Sequence, residues 1–524
     1  MTVNYAHQFS PSVTPQNEKA QENQIQNNAD GYVFELDDWK KLDRFISFGT
    51  EGGSYYVNEK ALTKDNAKTI CNLIKEDGIR VVNRITEISQ GGKVYKNDTA
   101  IFVLALTFSI GDTQTKKAAE LALPLIARTG THLFTFLEYV NSFRGWGRGL
   151  KRAVANWYQN KPIADLEYQV TKYVQRNGWS HSDALKLSHP KTKDINRNNL
   201  YKYIVGKRSG LTLTPYLQAC EDIKTVGIKK TADLIKKYNL PREVIPTEKL
   251  TEIAVWEALL GKMPMTAMIR NLATMTRIGV LKPMSKWTGE INRRLINQEL
   301  LKKARIHPIQ ILSALLTYAS GRGVRSSNEW DAIGSICDAL DKSFYLSFGN
   351  VEPTNKRLML ALDVSGSMGS GMVGGVPNLT PRVASGAMAL ITASTESNYM
   401  IMGFSDKFVP LSISPRQRLD DVYRNISNLP FEHTDCAIPM VYALKNQLPI
   451  DAFIVYTDSE TWFGKIHPFQ ALRNYRKKMQ IPAKLIVVGM VANDFTIADP
   501  SDAGMLDVVG FNTDTPNAIN DFIL

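Results

Sequence analysis

Cysteine is scarce in this sequence: only Cys71, Cys220, Cys337 and Cys436 in 524 residues. No two form a Cys-x-x-Cys pair, which argues against a zinc knuckle. So few thiols, so far apart, exclude a disulfide scaffold and fit a reducing, cytoplasmic setting. Long apolar runs are missing too. The longest, near Ile101 to Ile110, is about half of the ~20 residues that a membrane-spanning helix needs. The first residues lack the basic and apolar regions of a secretory signal. These absences predict a soluble, non-secreted protein with no membrane partner. Negative charge is also in short supply: 63 Lys and Arg face 51 Asp and Glu, a net +12. The shortage is local. From Val351 to Leu524 there are 14 Lys and Arg against 17 Asp and Glu, so residues 1–350 hold a surplus of +15. An anionic partner for the first two-thirds is the simplest consequence.

What is present is ordinary globular material, 44% hydrophobic and 22% charged. That balance excludes a wholly disordered chain. The length implies two large domains or three smaller ones. Residues 1–30, rich in Gln, Asn, Ser and Pro, read as a flexible tail. Residues 31–354 read as helical. "TKKAAELALPLIART" and "THLFTFLEYVNSF" space apolar residues at i, i+3, i+4 and i+7, with Thr63, Thr131 and Ser182 as expected caps. Many short amphipathic helices in series predict a HEAT-like repeat array without a strict period. From 355 to 524 the pattern changes. "RLMLALD", "YMIMGFS", "DAFIVYTD" and "AKLIVVGM" are continuous apolar strands separated by helices. They predict a doubly wound parallel sheet with both faces covered.

Asp363-Val364-Ser365-Gly366-Ser367 follows the first of these strands. A tight turn there aims the oxygens of residues i, i+2 and i+4 into one space. A carboxylate and two hydroxyls suit a hard cation, Mg²⁺ or Mn²⁺, and not zinc. Thr434 and Asp458 lie at later strand-to-helix junctions. With them the pattern resembles the metal-ion-dependent adhesion site of von Willebrand factor A domains. The resemblance implies Asp363, Ser365, Ser367 and Thr434 as direct ligands and Asp458 through a water. A lone Asp-x-Ser-x-Ser would read as a helix cap; the later Thr and Asp favour the metal. The set is poor for catalysis, since no positioned base or nucleophile accompanies it. The reading is a non-enzyme.

The surplus cations gather with aromatics. "SFRGWGRGLKRAVANWYQNK" holds Arg144, Arg148, Lys151 and Arg152 beside Trp146, Trp157 and Tyr158, and "VTKYVQRNGWSHSDALKLSHPKTK" follows. Cations among aromatics bind phosphates and stack unpaired bases. Taken singly, each aromatic reads as core and each cation as solvated surface. A second series, Arg270, Arg277, Lys282, Lys286, Arg293 and Arg294, ranks lower, and His307 reads as structural.

Longer strings identify a family. "FISFGTEGGSYYV" (45–57), "GWGRGLKRAVANWY" (145–158), "QRNGWSHSDALKLSH" (175–189), "KARIHPIQILSALLTY" (303–318), "LALDVSGSM" (360–368) and "HTDCAIPM" (433–440) closely resemble the Ro autoantigens, the TROVE-domain family of RNA-binding proteins. The match spans about residues 32–524. It implies a HEAT-like helical ring, 31–354, joined to a von Willebrand factor A domain, 355–524. It implies small noncoding Y RNA as a partner on the outer basic surface. It also implies single-stranded 3′ ends of misfolded RNA in the central hole, in RNA quality control and stress survival. Bacterial relatives of the family are associated with an exoribonuclease. Carried onto this sequence, the RNA surface comprises Arg148, Lys151, Arg152, Lys172, Arg176 and His181. Val174 stands where a further cation is expected. The competing reading is a metal-dependent protein-interaction hub in which the A domain carries the function.

Overall fold

The computed structural model describes residues 13–48, 67–94, 96–207, 209–323, 327–349, 351–373, 379–427, 429, 433–511 and 514–524. Residues 1–12 of the expected tail, the cap at Thr63 and most of the 45–57 string lie outside them. Two short strands come first, β1 (Gln24–Gln26) and β2 (Tyr32–Glu35), paired antiparallel.

Between Asp38 and Leu346 the described residues are mostly helical. Asp98–Ile110 is apolar all round and buried on every side for most of its length, as the centre of a stack must be. Arg148–Asn160 is amphipathic and turns Leu150, Ala153, Val154, Trp157 and Tyr158 inward. Asp98–Ile110 packs on both Lys68–Gln90 and Gly130–Phe143, and Thr113–Ile126 packs on Lys68–Gln90 and Arg148–Asn160. Alternate helices touch, which is the stacking of a helical repeat array. The working caps are Thr129 and Ser180, two residues ahead of the expected Thr131 and Ser182. A cap must lie outside the first turn to accept from its N–H groups. One hairpin, β3 (Gln175–Arg176) with β4 (Trp179–Ser180), interrupts the helices. The array closes on itself: Arg305 Nε donates to the Gln90 carbonyl at 2.7 Å, across 215 residues.

The last third is an α/β domain. Its strands are β5 (Leu358–Asp363), β6 (Tyr399–Phe404), β7 (Phe408–Pro410), β8 (Ala452–Thr457), β9 (Lys484–Gly489), β10 (Phe495–Thr496) and β11 (Met505–Val509). Six of them form one sheet in the order β11-β9-β8-β5-β6-β7, parallel except for β7. Successive residues of β5 bury on opposite faces. Leu358, Leu360 and Leu362 join Ala384, Met388 and Ile391 of the helix Pro381–Thr395. Met359 and Ala361 join Met440, Phe469 and Leu472 on the other side. Coverage on both faces is why the central strands read as nearly continuous apolar runs. The first core runs without a break from the helices after Ala219 into the sheet, so the helical array and the sheet share one interior.

The flexible tail expected at 1–30 needs correction. Residues 13–30 are folded onto the α/β domain. β2 pairs with β10, and Val33 and Phe34 complete the second core. Thr14, Gln16, Gln21, Gln24 and Asn27 are buried although polar. They are held by hydrogen bonds and not by apolar contact. Composition counts apolar residues, so it missed them. All four cysteines are free. Among the described residues no helix is long and apolar enough to cross a membrane.

Candidate functional site

The metal constellation sits at the carboxyl ends of the central strands, where open α/β sheets bind ligands. β5 ends at Asp363, whose Oδ1 accepts from the Ser365 N–H at 2.9 Å and whose Oδ2 accepts from Thr457 Oγ1 at 2.6 Å. Ser365 and Ser367 bring their hydroxyls within 3.2 Å of each other. Arg382, itself buried, donates to the Ser365 carbonyl at 2.8 Å and holds the turn from beneath. Asp458, one residue past β8, is buried, and its Oδ2 has no hydrogen-bond partner. Thr434 is tied to the loop that follows Asp458 by its carbonyl, which accepts from the N–H groups of Trp462 and Phe463 at 3.2 Å.

Two buried carboxylates meet there, and the buried Arg382 guanidinium acts on the first of them, Asp363. Burial pushes the Asp363 carboxyl up, against the pull of its hydrogen bonds. Burial, then the charges of Asp363 and Glu460, push Asp458 well above the usual carboxylate range. An unpartnered buried oxygen beside a second carboxylate and two hydroxyls is an arrangement that a hard cation satisfies. Among the described residues no three His, Cys, Asp or Glu side chains converge as a metal cluster. The donors here are two carboxylates and hydroxyls, so a nitrogen- or sulfur-preferring ion does not fit.

The basic face lies on the helical array. Arg148 and Lys151 occupy the first turn of the helix Arg148–Asn160 and Arg152 opens the second, and all three are exposed. That turn has no acidic residue and no side-chain cap, since Gly147 precedes it. Cations there oppose the helix dipole, at a cost of ~0.3–1 kcal/mol each. A sequence that tolerates this puts uncapped N–H groups and positive charge together, an arrangement that suits an anion. Trp146 links the turn to the hairpin, its ring 5.8 Å from that of Trp179. Arg176, exposed, pairs across the hairpin with Trp179. Lys172 is half-buried over the rings of Tyr168 and Tyr173, at 5.2 and 5.4 Å. No carboxylate of a described residue forms an ion pair with Arg148, Lys151 or Arg176.

Two of the expected RNA residues stand differently. Arg152 is exposed but tied to Glu120, Nη2 to Oε2 at 2.6 Å. His181 is 3% exposed, with Nδ1 2.6 Å from the Tyr158 hydroxyl and its ring against Phe134. Burial pulls its pKa down to about 3, so it carries no charge at neutral pH. His181 is a core residue beneath the basic face and cannot supply an ion pair to a phosphate from there. Nothing in a stretch rich in Lys and His marks one histidine as buried. Trp157 and Tyr158 are core as well. Of the lower-ranked series, Arg294 is spent on backbone carbonyls of Leu260 and Met263. His307 caps the helix Pro308–Ala319 by accepting from the Ile309 N–H, in keeping with its structural reading.

Sequence reasoning missed a cleft of about 290 Å³ where the array closes. It is lined by Lys96 from the start of the array and Arg270, Gln310, Tyr318 and Trp330 from its end. Only the closure brings Lys96 to Arg270, so no local motif announces it.

Fold and sites together define one class: a helical repeat array closed on itself and built against a von Willebrand factor A domain. The Ro60 vWA domain matches residues 357–523, and the TROVE domain matches residues 25–239 and 235–317. The chain belongs to the Ro60 family of TROVE-domain proteins. It is 40% identical to the RNA-binding protein RO60 of Deinococcus radiodurans, over 99% of both chains. It is 36% identical to the RNA-binding protein RO60 of Caenorhabditis elegans, over 98% of this chain and 92% of that one. The crystal structure of the Deinococcus radiodurans RO (RSR) protein aligns with a TM-score of 0.70 at 40% identity, covering 93% of this chain and 99% of that chain.

Proposed function

We propose that this chain is a non-catalytic RNA-binding protein of RNA quality control and stress survival, acting in the cytoplasm. Small noncoding Y RNA lies on the outer basic face. Single-stranded 3′ ends of misfolded RNA enter the central hole of the helical array, and an exoribonuclease is the partner that degrades them. The observation that carries the reading is the acid-free first turn of Arg148–Asn160, joined through Trp146 and Trp179 to Arg176. Phosphates satisfy both its cations and its bare N–H groups. Replacing Arg148, Lys151 and Arg176 together by Ala removes about three phosphate contacts. The slope of log affinity against log salt should become shallower by about two to three. Electrophoretic or fluorescence titrations at four salt concentrations check this. A slope equal to that of the unaltered protein refutes the basic face as the RNA surface.

The A domain, in this reading, holds one divalent cation, Mg²⁺ before Mn²⁺. Asp363, Ser365, Ser367 and Thr434 are its ligands, with Asp458 acting through a water. When bound, the cation supplies an open coordination position for an acidic group of a partner. The unpartnered Asp458 oxygen supports this. The same observation favours the second reading, a metal-dependent interaction hub. Asp363→Ala should abolish Mn²⁺ binding measured by calorimetry while leaving RNA affinity unchanged. Loss of RNA binding with the metal would instead make the two sites one.

A further inference from the structure

The segment before β2 touches both loops that carry the later expected ligands, at Asp435 and at residues 459–466. Gln16 is fully buried. Its Nε2 donates to Asp435 Oδ1 at 2.7 Å and to the Ile466 carbonyl at 2.8 Å. Its Oε1 accepts from the Thr461 hydroxyl, and its own N–H donates to the Gly464 carbonyl at 2.8 Å. One amide therefore bridges the residue after Thr434 and the loop that follows Asp458. Gly464 makes room for it: a Cβ there would stand 2.2 Å from Gln16 Nε2. Asn27 grips the same loop further in, Nδ2 donating to the carbonyls of Ser459 and Thr461 at 3.0 and 2.9 Å. Asn28 holds Glu460 Oε1 at 2.7 Å.

We propose that Gln16, seconded by Asn27, is a positioning residue of the metal centre, setting the spacing between Thr434 and Asp458. The inference rests on the metal reading above. Thr434 and Asp458 come from loops that the chain brings together only at the sheet's end. The amides of Gln16 and Asn27 tie the Asp435 loop and the loop after Asp458 together through a side chain and backbone carbonyls, without competing for the ligand oxygens. The loops are then already placed when the ion arrives, and little ordering remains to be done on binding.

The test is Mn²⁺ affinity of the full chain by calorimetry, beside its melting temperature. Gln16→Met keeps the volume and removes the bridge; it should weaken Mn²⁺ binding about ten- to a hundredfold, the usual effect of losing a residue that orients ligands. Asn27→Ala, which deletes fewer contacts to the centre, should weaken it in the same direction and stands in if Gln16→Met does not fold. Thr14→Ala is the control. Thr14 lies on the same segment, and among the described residues its hydrogen bonds go to Gln470, on the helix Pro468–Met479. It should lower the melting temperature and leave Mn²⁺ affinity unchanged. Gln16→Met binding Mn²⁺ as tightly as the unaltered chain, or Thr14→Ala weakening it equally, overturns the proposal while the metal centre stands. An unaltered chain that binds no Mn²⁺, or binds it equally after Asp363→Ala, overturns both.

Discussion

Acidification from pH 7.5 to pH 5 should remove roughly 6 kcal/mol of folding stability through three histidines alone. Burial holds the pKa of His132 at about 3, assisted by the charge of Arg128, that of His181 at about 3 and that of His307 at about 4. In the unfolded chain each returns to ~6.5. Between these values the unfolded chain binds more protons than the folded one. The contribution is therefore fully present above pH 6.5 and lost as pH falls. At pH 5 each site has given up about 2 kcal/mol. The total is comparable with the ~5–15 kcal/mol that holds a domain together. His467 shifts in the same direction by burial. Urea titrations at pH 7.5, 6.5, 5.5 and 5 read the loss directly, and a midpoint constant across that range contradicts it. His307 offers a finer check. Its Nδ1 accepts from Ile309 only when unprotonated. His307→Asn preserves an acceptor at the cap and does not titrate, so it should reduce the pH slope by one proton.

Arg44→Ala should cost about 3–5 kcal/mol, because it strands a buried carboxylate. Arg44 and Asp507 are 1% and 3% exposed, Nη2 to Oδ1 at 2.6 Å. The guanidinium also donates to Asn493 and to the Phe495 carbonyl. It passes over Gly489, where a Cβ would stand 2.4 Å from Nη2. Arg44 belongs to the helix Asp38–Phe48 and Asp507 to β11, so the pair fastens the first described helix of the array to the sheet. Removing both charges is a different experiment. Arg44→Met with Asp507→Leu leaves no buried charge unpaired and should recover most of the loss. A double variant no more stable than Arg44→Ala would show that the contacts to Asn493 and Phe495, and not the ion pair, hold the joint.

The sheet was legible in the sequence, since a strand covered on both faces is apolar along its length, as "LMLAL" is before Asp363. Asp363, Ser365 and Ser367 were legible because one turn fixes their spacing. The helices were legible by period, but their caps shifted by two residues because several hydroxyls compete at each start. Arg44 was invisible, with its partner 463 residues away. So was the pairing of Arg152 with Glu120. His181 was misread because charge was inferred from residue type, whereas burial decides protonation. Gln16 and Asn27 were misread because polar side chains that satisfy one another underground look, in composition, like a solvated tail.

The chain's two ends share one body, so the helical array is in effect an insertion within the A domain. Thr14 finds Gln470 only after 456 further residues have been made. At ~5–20 residues per second, the leading segment waits about 25–90 s on the ribosome before its partners exist. During that interval β2, paired only with β1, leaves its other edge open beside Val33 and Phe34, the kind of surface on which chaperones act.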